Sequence, residues 1–206
     1  MFSSRRSGAC LMQFKDWNRI DLTLLHINRL PTMPRDSQSI LLLDKDNSVK
    51  KFDLPSDSDY LPRPPTKKEF YDCCNEFLWV STYVAKGIWR KELTYAKYTA
   101  EQIVKEELIK LMTWYAGLKT NYQKTIGKFG KHLEKYLESE IWNKFVRTYV
   151  DANYDNMWQS LFLMCEIFNI IALDIANQYD YKFDQQECND VVEYLQAIKV
   201  DAERNH

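Results

Sequence analysis

Glycine and proline are scarce in this sequence, with 5 and 6 residues among 206. These are the residues that tight turns need most. A β-sandwich or β-barrel contains many such turns, so their scarcity argues against both classes. It favours long helices joined by few connections.

A charge of one sign is also lacking, because 28 Lys and Arg stand against 29 Asp and Glu. This balance argues against a dedicated nucleic-acid or polybasic membrane-binding protein. The apolar stretch near the N-terminus is interrupted at Gln13 and Lys15 and is too short for a signal peptide. No unbroken apolar run approaches the roughly 18 residues of a membrane span. The sequence predicts a cytoplasmic protein with no nucleic-acid or membrane partner.

Zinc-type spacing is absent from the five cysteines and three histidines. Two of the cysteines, Cys73 and Cys74, are adjacent, and no CxxC pair occurs. We therefore expect buried, reduced thiols and no structural metal site.

Three zones follow one another along the chain. Residues 10–46 carry strand signals, residues 47–65 hold four of the six prolines and form a linker, and residues 66–203 have helical periodicity. The alternation at 18–25 predicts the second arm of a hairpin, and 40–43 predicts a buried strand. Two or three strands cannot form a stable sheet alone, so a pairing partner for them is missing from the sequence. The predicted fold is α+β and mostly α, with five or six helices.

Capping signals divide the helical zone. Thr66 and Glu69 form a capping box that opens the first long helix. A second helix is predicted at about 91–121, Asn153 begins a third long helix, and Asp184 begins the last one. Shorter helices are predicted at 133–137 and 140–150.

The first long helix carries two stripes at 100° per residue. The apolar stripe, predicted to face the core, is Phe70, Cys73, Phe77, Val80, Val84 and Ile88. The second stripe, hereafter the acidic-aromatic stripe, is Glu69, Asp72, Glu76, Trp79 and Tyr83, followed by Lys86 and Arg90. A cationic ligand needs carboxylates to pair with and flat apolar surface to lie against. A solvated helix face with acids near its N-terminus would carry the same residues, so both interpretations stay open.

Two other places could carry chemistry. Lys128 and Lys131 are interleaved with Gly127 and Gly130, which suits a phosphate but equally fits a helix-connecting loop, and the spacing is not that of a Walker A motif. Asp21 lies in mid-strand, where it is either an ion-pair partner of its neighbour or a metal ligand. One carboxylate alone cannot hold Mg²⁺ in a catalytic geometry.

Three segments, 18–24, 41–46 and 72–92, resemble the aminoglycoside 6-adenylyltransferases, also called streptomycin adenylyltransferases. The resemblance extends from about Leu11 to the C-terminus. It implies an N-terminal nucleotidyltransferase palm, partial in residues 1–46, and a C-terminal helical domain in 66–203. The implied reaction transfers AMP from ATP to a hydroxyl of streptomycin, releases pyrophosphate and uses Mg²⁺.

The family's palm has a Gly-Ser motif, a D-x-D pair and a third Asp, and only the last has a counterpart here. Asp21 resembles that third metal-binding carboxylate. The sequence is therefore interpreted as an N-terminally truncated member, impaired or inactive as it stands.

With this resemblance, the candidate residues are Asp21 and Glu76 for catalysis, Glu69, Asp72, Trp79 and Tyr83 for the drug, and Lys128 and Lys131 for the triphosphate. The alternatives are a non-catalytic helical domain that binds a cationic ligand or a partner chain, and a helical interaction module with no small-molecule role.

Overall fold

The computed structural model of the chain describes residues 7–205. They divide into two compact units, one ending at Asp59 (unit 1) and one beginning at Tyr60 (unit 2). This boundary falls inside the proline-rich stretch 47–65, and residues 1–6 of the predicted partial palm lie outside the described range. The described regular structure consists of six α-helices, one two-stranded sheet, four short 3-10 helices and one π-helical segment, which confirms the mostly α fold class.

Unit 1 is built around an antiparallel hairpin. Strand β1 (Ser7–Gln13) pairs with β2 (Arg19–Leu25). The turn closes where the Phe14 amide donates to the Asn18 carbonyl over 2.8 Å. The predicted hairpin is confirmed, with a first arm that begins earlier than the sequence indicated. The alternating apolar side chains of β2 remain exposed, because no further strand or helix of unit 1 covers them in the described residues.

The strand predicted at 40–43 is wrong. This segment has no strand hydrogen bonds, and Leu42 is 90% exposed. An apolar run becomes a buried strand only where a neighbouring strand accepts its backbone bonds. The described part of unit 1 offers no third strand for that pairing.

Unit 2 contains all six α-helices. Their bounds are α1 Lys67–Trp89, α2 Leu93–Thr99, α3 Lys105–Lys119, α4 Ser139–Val146, α5 Tyr154–Tyr179 and α6 Gln185–Asn205. The predicted caps are confirmed: Thr66 and Glu69 form the reciprocal box at α1, and the Asn153 side chain accepts from two amides of the first turn of α5. The Asp184 carboxylate accepts from two amides at the start of α6. Local hydrogen bonding thus sets where the long helices begin.

Apolar faces of α1, α3, α5 and α6 form the core of unit 2. All six residues of the predicted apolar stripe of α1 are buried. At the contact of α1 with α5, the rings of Phe77 and Phe168 lie parallel, with centroids 4.0 Å apart. Most of the stability of unit 2 therefore comes from this packing rather than from helix propensity.

The second predicted helix is continuous, but it contains a π-helical segment at Ala100–Val104 that joins α2 to α3. The extra residue of a π turn rotates the succeeding helix relative to the α-helical register. Lys105 lies at the end of this segment with only 2% of its side chain exposed. Neither the π turn nor the burial of Lys105 was predicted from the sequence.

The buried ammonium of Lys105 has three partners, and we call this group the lysine network. Its Nζ lies 2.6 Å from Glu101 Oε2, donates to the Thr148 carbonyl over 3.1 Å, and lies 3.9 Å from the centroid of the Tyr149 ring. Lys97 binds the other oxygen of Glu101 at 3.3 Å. The Thr148 carbonyl also accepts from the Ser160 hydroxyl. Helix α4 ends at Val146 rather than at the predicted 150, and the Thr148 and Val150 carbonyls beyond its end accept from side chains instead of from helix amides.

Helix α5 is, by length and composition alone, apolar enough to cross a membrane. Its most apolar 18-residue window has a mean hydropathy of 1.6, and 56% of that window is buried inside the molecule. A core helix passes the same test, and α5 packs against α1, α3, α4 and α6. The burial assigns α5 to the core of unit 2.

The described cysteines form no disulfide. Cys10 is exposed, which the sequence did not predict, and the other four are buried. Burial raises the pKa of Cys165 to about 12, so this thiol stays protonated at neutral pH and packs as an apolar side chain. No three histidine, cysteine or carboxylate side chains within residues 7–205 converge on a possible metal position.

Candidate functional site

The acidic-aromatic stripe lies on the side of α1 that the core does not cover. Asp72, Glu76 and Trp79 are exposed, and Glu69 lies at the first turn of the helix. Tyr83 is half-buried and packs against the core. The stripe is therefore a continuous surface, and its residues differ in what they are bonded to.

The Glu69 carboxylate is occupied by structural contacts. It accepts from the amide and hydroxyl of Thr66 at 2.8 Å each, and from both terminal nitrogens of Arg63. The Arg63 guanidinium, together with the Thr66 donors, holds the pKa of this carboxyl well below its usual range. Glu69 thus caps α1 and fixes the preceding segment, so its carboxylate has few acceptor positions left for a ligand.

The next two carboxylates of the stripe differ from each other. Asp72 is ion-paired with Lys68 one turn earlier in α1. The Glu76 carboxylate makes no hydrogen bond or ion pair with any group in the described range, and it is exposed. Glu76 is the stripe carboxylate that can accept a cation without first losing a partner.

Two aromatic side chains follow Glu76 along the stripe. Trp79 is 60% exposed, and its indole nitrogen donates to the Tyr83 hydroxyl over 2.7 Å. The rings meet edge to face with centroids 6.0 Å apart. The Lys86 ammonium lies 5.6 Å from the centroid of the Tyr83 ring. The bond between Trp79 and Tyr83 holds the indole ring in a fixed orientation one turn beyond the unpaired carboxylate, with much of the ring still open.

Asp21 belongs to unit 1 and is ion-paired with its neighbour on β2. Arg19 Nε lies 2.8 Å from Asp21 Oδ1, and Nη2 lies 2.9 Å from Oδ2. Magnesium takes near-octahedral oxygen coordination, and no group of three possible ligands exists in residues 7–205. The described residues do not form a magnesium site by themselves.

Lys128 and Lys131 lie on a loop of unit 2 between α3 and α4. Both are exposed, and neither forms an ion pair with a described carboxylate. The Lys128 ammonium lies 4.8 Å from the centroid of the Phe129 ring. The sequence did not single out Phe129, although the glycines on both sides of it indicate an unusual backbone there.

Comparison with known proteins identifies the family of this chain. The family model described as streptomycin adenylyltransferase matches residues 2–198. The chain belongs to this family. The family resemblance inferred from the three sequence segments is thereby confirmed.

Relatives named aminoglycoside 6-adenylyltransferase occur in several bacteria. The protein of Staphylococcus aureus is 36% identical over 181 residues, that of Campylobacter jejuni 37% over 174, and that of Bacillus subtilis strain 168 32% over 190. These matches cover 84 to 91% of this chain. The chain spans only 60 to 66% of the length of these relatives.

A solved structure of the family resembles this one. The crystal structure of an aminoglycoside 6-adenyltransferase from B. subtilis matches 96% of this chain and 73% of its own, with a TM-score of 0.62 and 30% identity. The family and its fold are therefore established for this chain, while the roles of the candidate side chains are predictions.

Proposed function

We propose that this protein is an aminoglycoside nucleotidyltransferase that transfers AMP from ATP to a hydroxyl of a streptomycin-like acceptor in the bacterial cytoplasm. Antibiotic resistance would be the result of this modification. The observation that supports the proposal most directly is the family match over residues 2–198. The relatives that carry the name aminoglycoside 6-adenylyltransferase point to the same acceptor class.

Unit 2 would bind the drug through Glu76, Trp79 and Tyr83. Streptomycin carries two guanidinium groups. A guanidinium can take a bidentate carboxylate at its edge and lie against an aromatic face at the same time. Glu76 is unpaired and the Trp79 ring is held by its bond to Tyr83, so both contacts are available on one helix face. Asp72 would contribute a second negative charge, and Glu69 would act mainly through the cap.

The remaining candidates would serve the nucleotide and the reacting hydroxyl. Glu76 is the proposed general base, since a carboxylate near the acceptor hydroxyl can take its proton during attack on the α-phosphate. Lys128 and Lys131 are proposed to bind the phosphates. When bound, a divalent metal neutralises charge on the transferring phosphate. Asp21 is the proposed ligand from this chain, and it must be joined by ligands that residues 7–205 do not supply.

The absence of a ligand cluster in the described residues favours a second candidate function for the chain as given: binding without turnover. We expect the 206-residue chain, mixed with streptomycin, ATP and Mg²⁺, to release no pyrophosphate above a blank without protein. The reason is that a lone, ion-paired carboxylate cannot hold the metal for phosphoryl transfer. A coupled pyrophosphate assay measures this. Release that requires all three components and the protein would show that the chain is an active enzyme by itself.

Streptomycin binding tests the acceptor surface independently of turnover. We expect a dissociation constant in the high-micromolar to millimolar range by calorimetry at low salt, roughly −4 to −6 kcal/mol. Glu76→Gln should weaken binding about two- to fivefold, because an exposed ion pair contributes about 0.2–1 kcal/mol. Binding should also weaken as salt rises, since exposed charges are screened.

The matched control is Glu193→Gln, an exposed carboxylate on α6 outside the stripe. It should leave the affinity unchanged. If the two variants bind streptomycin equally, or the parent does not bind at millimolar concentration in low salt, the acidic-aromatic stripe is only a solvated helix face.

A further inference from the structure

An exposed phenylalanine occupies the loop between α3 and α4. Phe129 has 82% of its side chain exposed and a left-handed backbone with φ 57° and ψ 26°. A large side chain rarely adopts this conformation, because the Cβ crowds the backbone. Such strain persists only where the surroundings enforce it, and strained residues concentrate at functional sites. The loop thus presents an aromatic ring to solvent against both its hydrophobicity and its backbone preference.

Two glycines fix the shape of this loop. Gly127 and Gly130 have φ of 71° and 74°. A Cβ on Gly130 would lie 2.5 Å from Leu133 Cδ1, and a Cβ on Gly127 would lie 2.6 Å from Lys131 Cγ. Leu133 is buried in the core, so the close approach at Gly130 anchors the loop. The close approach at Gly127 shows that the Lys131 side chain folds back along the start of the loop.

The segment 124–135, which contains Phe129, holds four lysines and one carboxylate, Glu134. Four exposed lysines in this segment form no ion pair with any carboxylate in the described structure: Lys124, Lys128, Lys131 and Lys135. The lysines of the flanking helices are paired, Lys119 with Glu138 and Lys144 with Glu140 and Glu166. The Lys128 ammonium lies against the ring of Phe129. The loop therefore combines an open aromatic surface with unpaired cations.

We propose that Phe129 is the stacking platform for the base of a nucleoside triphosphate whose phosphates bind Lys128 and Lys131. The base stacks on the open surface of the ring, since every nucleobase presents a π face to an aromatic side chain. The lysines pair with the phosphate oxygens as point charges. This inference rests on the proposed function in taking ATP as the nucleotide, and it adds the residue that contacts the base.

A nucleoside triphosphate fits this loop better than a nucleic-acid strand. A bound strand needs a positive groove that follows its backbone over several nucleotides. The chain has a formal net charge of −1, and the four unpaired lysines are gathered around one loop with one exposed ring. One base and one short run of phosphates match that size.

Binding of ATP to the full chain, measured without any aminoglycoside, tests the inference. Calorimetry should show that Phe129→Ala weakens ATP binding on the order of tenfold, the loss expected for one stacked base. Phe129→Tyr should stay within about twofold of the parent, because its ring still stacks. The adenine H2 and H8 proton resonances should shift upfield with the parent and not with Phe129→Ala. Tyr98→Ala, an exposed aromatic change on α2, is the matched control and should not alter binding.

Two further probes separate stacking from charge and from structure. Inorganic tripolyphosphate should bind Phe129→Ala as well as the parent, and Lys128→Gln should weaken both tripolyphosphate and ATP. Phe129→Gly should be at least as stable as the parent in urea unfolding, because glycine accepts the positive φ, yet it should lose the ATP affinity of the parent.

Three results would overturn the inference. They are no ATP binding by the parent, equal ATP binding by the parent and Phe129→Ala, and tighter binding of an oligouridine strand than of ATP at the same loop. Adenylyl transfer is not used as a readout. If the chain is inactive but binds ATP through Phe129, the proposed activity is rejected and this site is supported. If the enzyme is active but insensitive to Phe129→Ala, the proposed activity is supported and this site is rejected.

Discussion

Replacing Phe168 by alanine is expected to lower the free energy of unfolding of unit 2 by about 3–5 kcal/mol, the range found for removal of a fully buried phenylalanine. Phe168 has no exposed surface, and its ring stacks on that of Phe77 at 4.0 Å between centroids. The substitution removes apolar burial and leaves a cavity between α1 and α5. Both helices are held rigidly by their other neighbours, so the cavity can close only in part.

Urea unfolding followed by circular dichroism at 222 nm measures this loss, because all six α-helices belong to unit 2. Phe129→Ala is the matched control: the same change at an exposed position should alter the free energy of unfolding by less than about 0.5 kcal/mol. A loss of under about 1 kcal/mol for Phe168→Ala would contradict the packing of α1 on α5.

Glu101→Gln is expected to destabilise unit 2 by about 3 kcal/mol, through the lysine network. The carboxylate of Glu101 binds Lys105 at 2.6 Å and Lys97 at 3.3 Å. Removing its charge leaves the Lys105 ammonium buried without a counter-ion, and breaking a buried pair in this way costs about 3–5 kcal/mol. The lower end of this energy range applies because the Glu101 side chain is itself partly exposed. Glu106→Gln, an exposed carboxylate in the first turn of α3, should have almost no effect.

The loss should depend on pH in a defined direction. Burial lowers the pKa of Lys105 below its ordinary 10.5 even with Glu101 in place. The folded state therefore gives up this proton more readily than the unfolded state, and folding gains stability as pH rises through the lowered pKa toward 10.5. Glu101→Gln should thus lower the free energy of unfolding by less at pH 10 than at pH 7.

Lys105→Met should lower the free energy of unfolding by less than Glu101→Gln does at pH 7, because it removes the buried charge itself. Equal losses at both pH values, or a larger loss for Lys105→Met, would show that Glu101 acts only through packing.

The sequence predicted those parts of the fold that local chemistry controls. The caps at Thr66, Asn153 and Asp184 hold, because each is a side chain that bonds amides two or three residues away. The core-facing stripe of α1 also holds, because helical periodicity alone places it. The π turn at Ala100–Val104 was missed, since no residue type marks it and the burial of Lys105 beside it depends on Glu101 and on Thr148, 43 residues away.

The sequence predicted which residues of α1 share the candidate surface, but not which of their side chains are already bonded to other residues. Spacing placed Glu69, Glu76 and Trp79 on one side of α1. It could not show that Arg63, from outside the helix, occupies Glu69 while Glu76 stays unpaired. Glu69 differs from Glu76 through its bonds to Arg63 and Thr66, and a contact that reaches back from the first helical turn to the residues before it leaves no periodic signal. Phe129 was missed for a related reason: the glycines near it indicate an unusual backbone, but they do not indicate that the ring between them is exposed.

The hairpin of unit 1 also decides how the protein behaves in concentrated solution. In the described residues, each of its two strands has a partner on one side only, and the outer backbone groups face outward. The β2 side chains Ile20, Leu22 and Leu24 are exposed beside them. An open, apolar strand edge is a template for pairing with another chain. Self-association of this protein should therefore begin at unit 1, and charged residues placed on β2 should improve its solubility.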